Sequence, residues 1–274
     1  MSRVFGAASV WQRSITGEMC WIGTDGPTGL PVTPLLLGDA PCVALPYMHL
    51  GIADDIARGE AVFTVTDRHH LAEQSTGMSL RGKAEIIHDL DGARFIPELL
   101  DQELVKFPPT RLRADGLMAQ REHWWWVARI LVVLHEVSDT RELPARTRAD
   151  DAVLVRQLPE QTGRARVDVV TAQRWPSHPG ERITLWRRDG GSLAESGSPG
   201  FTFSHRASPD FERWERWYRS GRLDGDDLVV TDAVGAPGDQ FEPFGLRARW
   251  RNHRHIAAAC RAGITAVENR GAAN

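Results

Sequence analysis

The run from Trp124 to Val137, Trp-Trp-Trp-Val-Ala-Arg-Ile-Leu-Val-Val-Leu-His-Glu-Val, carries the strongest strand signal in the chain. Its density of apolar and β-branched residues suits a strand buried on both faces. It falls short of the roughly 20 apolar residues that a membrane-crossing helix needs. A buried strand requires neighbours, and the preceding residues supply them. Cys20 to Thr24 and Leu30 to Leu37 read as a hairpin around Asp25-Gly26-Pro27 and Gly29. Cys42 to Tyr47 follows the turn Gly38 to Pro41 as a third strand. Ala61 to Thr66 is rich in β-branched residues, and Met78 to His88 alternates around Gly82, a sign of a bulge or a close backbone approach. Two helices are inserted. Met48 to Arg58 stops at Gly59; Ala93 to Phe107 opens at Asp91-Gly92 and ends at Pro108-Pro109, before a loop with Arg111 and Arg113. Strands without regular βαβ alternation imply a barrel rather than a doubly wound sheet.

The pattern changes after about residue 138. Asp139 to Asp151 is charged, contains Pro144 and reads as a linker between residues 1–138 and an extension, 152–274. The extension reads as mixed α/β. Arg166 to Ala172, Arg182 to Arg187 and Leu228 to Thr231 suit strands, and Ser196 to Gly200 a loop. Pro209 to Ser220 suits a helix capped by Ser208, with Phe211, Trp214, Trp217 and Tyr218 near helical spacing and packing onto the barrel. Phe244 to Ala262 reads as a basic helix ending at Gly263, either solvated or docked on an acidic partner.

The 274 residues are 42% hydrophobic and 25% charged, which excludes wholesale disorder, and a net charge of -3 argues against a general nucleic-acid-binding surface. Met1 to Val10 has no long apolar stretch of the signal-peptide type. Cys20, Cys42 and Cys260 form no CxxC pair, so reduced thiols in a cytoplasmic protein are expected. The adjacent His69 and His70 do not suit one metal ion on a strand, and His253 and His255 face different ways on a helix, so no metal site is expected.

In order and local sequence, residues 15 to 138 resemble the FMN-binding split barrel of the pyridoxamine 5'-phosphate oxidase-like family, in an uncharacterised actinobacterial-type branch. Trp21 to Pro34 resembles the first hairpin, Glu60 to Thr66 the central strand, and Leu80 to Glu85 with Asp89 and Asp91-Gly92 the strand that lies against the cofactor. Phe95 to Arg111, Arg121 to Trp126 and Arg129 fit that branch. The resemblance implies a mainly β (α+β) fold, a homodimer with no membrane span, and an oxidoreductase that uses FMN to move hydride to or from a small organic substrate. Deazaflavin and haem are the alternative cofactors, and a non-catalytic binding protein is the alternative role.

Carried over residue by residue, the resemblance places Thr33, Pro34 and Leu35 near the ring, and Leu45, Pro46 and Tyr47 on the ribityl side. It places Thr64 and Thr66 on the central strand, and Trp126 and Arg129 on the last strand. Arg81 and Lys83 flank Gly82, share a face by the period-two rule, and suit a phosphate or a solvated face. Arg129 within an apolar strand needs a carboxylate, a phosphate or a barrel exit. Three adjacent Trp rings alternate faces on a strand, as core and interface or as a cofactor wall. Tyr47 and His49 are the candidate proton donors. One departure stands out. The family's Ser/Thr-x-Lys phosphate grip is absent, because Leu50-Gly51-Ile52 occupies its place, with His49 and Arg58 nearby.

Overall fold

The computed structural model describes residues 2–56, 59–67, 76–114, 121–157, 163–193, 195–238 and 242–272. His69, His70 and Arg58 lie outside the described residues. A first helix, α1 (Ser2–Arg13), precedes β1 (Gly17–Gly23), β2 (Gly26–Val32), β3 (Leu35–Leu37) and β4 (Ala40–Pro46). A tight turn, Tyr47–His49, leads into α2 (Leu50–Ile56), then β5 (Glu60–Val65) and β6 (Gly77–Asp89). A wide turn, Phe95–Leu99, opens α3 (Leu100–Lys106); α4 (Pro108–Ala114) follows, and the long β7 (Arg129–Leu143) completes the first sheet.

That sheet is antiparallel, with the order β2-β1-β5-β6-β7-β4-β3. Its edges, β2 and β3, are joined by Thr33 and Pro34 alone, so Val32 and Leu35 are at most about 11 Å apart. The sheet is therefore rolled into a nearly closed barrel. Lys106 fastens this seam by donating to the Pro34 carbonyl at 2.5 Å. Inside, the fully buried Trp11 of α1 stacks on Phe63 with ring centroids 4.9 Å apart, and its indole N–H donates to the Leu35 carbonyl at 2.9 Å.

A second seven-stranded antiparallel sheet follows, in the order β10-β14-β13-β12-β8-β9-β11. Its strands are β8 (Ala152–Gln157), β9 (Ala165–Thr171), β10 (Arg182–Thr184), β11 (Trp186–Arg187), β12 (Glu195–Ala207), β13 (Trp214–Gly225) and β14 (Asp227–Val234). Cys20 and Val62, on the outer face of the barrel, share one buried cluster with Val153, Val155, Val167, Val169, Phe201 and Phe203. β1 and β5 are thus covered on both faces, by the barrel interior and by the second sheet. The last helix, α5 (Leu246–Ala272), returns to the barrel.

The hairpin, the strands at β4 to β6 and both inserted helices follow the pattern of the sequence. Several regions depart from it. Trp124 to Trp126 lie in a tight turn, Arg121–Trp126, not in the strand, which starts at Arg129; Trp125 and Trp126 are buried and Trp124 is exposed. Large aromatic side chains satisfy a packed turn as well as a strand, and packing decides. Arg111 and Arg113 sit on α4, whose first residues are the prolines expected to end structure there, because proline is well tolerated in a first helical turn. Ser196 to Gly200 lie in β12, with an irregular register between Ser196 and Pro199. Pro209 to Ser220 is no helix: Ser208 closes a turn with Arg213, and β13 begins at Trp214. The extension is a β-sheet followed by one helix.

Helix α5 also runs past Gly263. A Cβ at Gly263 would stand 2.2 Å from the Tyr47 carbonyl oxygen, so glycine permits the helix to touch the backbone of the barrel. β7 continues to Leu143, paired with β6, and residues 144–151 connect the two sheets.

Candidate functional site

A cavity of about 580 Å3 opens beside the barrel seam, within the range of pockets that take cofactor-sized molecules. The barrel forms its floor with Val32 and Thr33 at the end of β2, Leu45 and Pro46 at the end of β4, and His49 in the following turn. Helices α3 and α4 contribute Phe107 and Arg113; the second sheet contributes Trp214 and Arg216; Phe244 and the start of α5 form the remaining wall. Phe107 and Trp214 meet with centroids 6.5 Å apart.

The cavity is cationic. Arg129 is 3% exposed, donates to Glu103 at 3.0 Å and lies 4.4 Å above the Phe95 ring, yet its Nε has no hydrogen-bond partner. The carboxylate or ligand expected of this residue is in part Glu103, which also accepts from Thr110. Arg216 donates to the Gly29 carbonyl. Arg249 binds Asp210 at 2.7 Å and also Glu212, holding the turn before β13 against α5. Arg113 makes no hydrogen bond and no ion pair with any described residue; its guanidinium rests 5.6 Å from the Trp125 ring centroid. Burial and the neighbouring Arg129 charge push its pKa down. Burial, with the Arg216 charge, also lowers the pKa of His49, which favours the uncharged imidazole. His49 has no hydrogen-bond partner among the described residues. His253 and His255 both reach this cavity, His253 edge-on to Trp125 at 5.4 Å.

Of the residues that the resemblance places at the cofactor and the two candidate proton donors, Thr33, Leu45, Pro46, His49 and Arg129 line the cavity. The others do not. Leu35 is core, and Pro34 is occupied at the seam. Tyr47 lies fully buried behind the floor, its hydroxyl 3.4 Å from His88 Nδ1, and burial next to Asp89 raises its pKa. Trp126 belongs to the barrel core.

Thr64 and Thr66 point to the second sheet and donate to Glu18, at 2.7 and 2.9 Å. Arg81 sits between Asp139, at 3.4 Å, and Glu60, at 3.9 Å, while Lys83 is exposed. Between them, β7 bulges opposite Gly82, where a Cβ would meet the His135 carbonyl at 2.8 Å. The close approach at this glycine is made by backbone. Phe107, Arg113, Trp214 and Arg216 carry no motif and come together only through the fold.

The Glu18 network is a second buried polar centre. Arg146 donates to Glu18 at 2.6 Å, Ser204 at 2.6 Å and Thr66 at 2.8 Å, and His205 Nε2 is 3.0 Å from Glu18. Burial pushes the Glu18 carboxyl up, but Arg146, His205 and Thr64 outweigh it and hold it at about 2. This network joins β1 and β5 to β12.

No family model matches the chain, and no curated protein matches its sequence. Solved structures do. A heme binding protein from Mycobacterium smegmatis is 14% identical, with 96% of this chain and 98% of that one covered and a TM-score of 0.36. A pyridoxamine 5'-phosphate oxidase-related, FMN binding protein from Nostoc punctiforme is 10% identical over 79% of this chain and 93% of that one, with a TM-score of 0.31. A protein of unknown function from Agrobacterium tumefaciens is 14% identical, with a TM-score of 0.37; the match covers 53% of this chain and 58% of the other's length. No described helix is long and apolar enough to cross a membrane.

Proposed function

We propose that the seam cavity binds FMN and that the chain is an FMN-dependent oxidoreductase acting on a small organic substrate as a homodimer. The observation that carries this is Arg113, a half-buried cation whose side chain makes no hydrogen bond with any described residue, set in a cavity walled by Phe107, Trp214 and Phe244. A planar, anionic molecule answers both features: the walls take the ring, and the guanidinium takes the phosphate. The orphaned Arg129 Nε beside it fits the same group. These arginines would stand in for the missing Ser/Thr-x-Lys grip. When bound, FMN supplies hydride transfer.

The chain's own residues do the rest. Thr33 and Pro46 present the barrel edge to the ligand, and the aromatic walls exclude water. His49, its pKa lowered by burial and its ring without a hydrogen-bond partner among the described residues, takes or returns a proton on an imidazole nitrogen.

The same imidazole favours a second reading, a haem-binding protein with His49 as ligand and the arginines facing the carboxylates.

A visible spectrum of the purified protein, repeated after adding FMN or hemin and desalting, separates the two readings. Retained absorbance at about 450 nm supports the flavin, a retained haem band supports the second reading, and neither overturns both. For the flavin, Arg113→Gln should weaken FMN binding roughly tenfold to a hundredfold, read by fluorescence titration. Light scattering tests the homodimer.

A further inference from the structure

Away from the seam cavity, a cleft of about 190 Å3 lies between the barrel and the second sheet. Ser79 and Arg81 of β6, Asp139 and Arg141 of β7, and Arg166 of β9 line it. None of these residues lines the larger cavity.

The guanidiniums here are underused. Charge-assisted pairs normally close to about 2.7–2.9 Å. Arg166 has one carboxylate within reach, Asp168 at 3.5 Å, and its buried Nε makes no hydrogen bond. Arg141 reaches the same Asp168 at 3.5 Å and the Val167 carbonyl at 3.4 Å. Arg81 Nε is likewise buried without a hydrogen bond. One Asp168 oxygen accepts from Arg156 at 3.0 Å, with both side chains 2% exposed; the other makes no hydrogen bond with any described residue and has Arg141 at 3.5 Å and Arg187 at 3.6 Å. Four guanidiniums therefore converge on one carboxylate, and Arg141 and Arg166 have no carboxylate of their own. The Ser79 hydroxyl, with no hydrogen bond to any described residue, adds a neutral donor.

Like charges held this close call for a counter-ion. Arginine forks match the oxygens of a tetrahedral oxyanion, two N–H groups at a time. The cleft is too small for a flavin and large enough for one phosphate group with water. We propose that it is a binding site for phosphate, as the free ion or as the terminal group of a small phosphate monoester, with Arg141, Arg166 and Arg81 as donors. The site is independent of any ligand in the seam cavity.

The test is calorimetric titration of the full chain with inorganic phosphate, and separately with glycerol phosphate, against chloride at matched ionic strength. Thermal melts accompany it. Phosphate should bind and raise Tm. Arg166→Gln and Arg141→Gln should each weaken binding by about tenfold or more. Neither should lower Tm without phosphate, because each removes a charge crowded by others. In the Arg113→Gln background, which removes any phosphate held in the seam cavity, phosphate should still bind, and adding Arg166→Gln should weaken that binding. Tighter binding of the ester than of the ion identifies a phosphorylated metabolite as the ligand; equal binding identifies the ion. The proposal falls if the wild-type chain binds neither. It also falls if Arg113→Gln alone abolishes binding, or if both cleft variants melt lower while binding phosphate as before.

Discussion

Arg146 and Arg166 stand at the same junction, where the second sheet meets the barrel, and they use their guanidiniums in opposite ways. Arg146 makes hydrogen bonds to Glu18, Ser204 and Thr66, all at 2.8 Å or less. The Arg166 side chain makes none with any described residue, and shares one distant carboxylate with three other arginines. The difference lies in the count of acceptors. Around Arg146, Glu18 and two hydroxyls satisfy the cation, and the cation in turn satisfies a carboxylate that the core could not otherwise hold. Around Arg166 four guanidiniums face one carboxylate, Asp168, at distances of 3.0 to 3.6 Å. A satisfied network is structure; an unsatisfied one is a place for something to bind.

Substitution is the strongest way to break that comparison. Arg146→Ala leaves Glu18 buried beside His205 and two hydroxyls and should cost about 3–5 kcal/mol in urea unfolding, or prevent folding outright. A loss under about 1 kcal/mol would mean that the network is not what holds the sheets together.

Acid is the next probe. The folded Glu18 carboxyl, held at about 2, lies below its ordinary value of 4.5. Its contribution, about 3 kcal/mol, is present above pH 4.5 and is lost as pH falls toward 2. Melts across that window should show the loss, and Glu18→Gln should flatten it.

Steric damage sets an intermediate scale. Gly263→Ala drives a methyl group into the Tyr47 carbonyl and should cost about 1–3 kcal/mol without touching either charged region. Arg166→Gln should be the mildest, within about 0.5 kcal/mol in the absence of phosphate. A cost near that of Arg146→Ala would erase the distinction between the two arginines.

The barrel was legible in the sequence because its signals are local. Asp25-Gly26 marks the first hairpin, Gly82 marks the bulge, and β5 carries the β-branched Val62, Thr64 and Val65. The second sheet was less so. Trp214, Trp217 and Tyr218 are three and four residues apart, which imitates a helix, although on β13 Trp217 is buried with Arg219 on one face and Tyr218 lies on the other. Gly197, Pro199 and Gly200 make β12 read as a loop, and the irregular register absorbs them.

At the cavity, Thr33, Pro46, His49 and Arg129 could be placed because they sit at the ends of legible strands. Arg113, Arg216 and Arg249 come from three elements with no shared spacing. The Glu18–His205 contact spans 187 residues, a distance that no local pattern reports.

That separation bears on how the chain is made. β1 leaves the ribosome long before β12. Until β12 arrives, the barrel carries Glu18 without His205 and exposes Cys20 and Val62 where the second sheet will lie. Made without its C-terminal half, the first half therefore presents an uncovered apolar face. Residues 1–143 produced alone should aggregate, and adding residues 144–272 on a separate chain should rescue them.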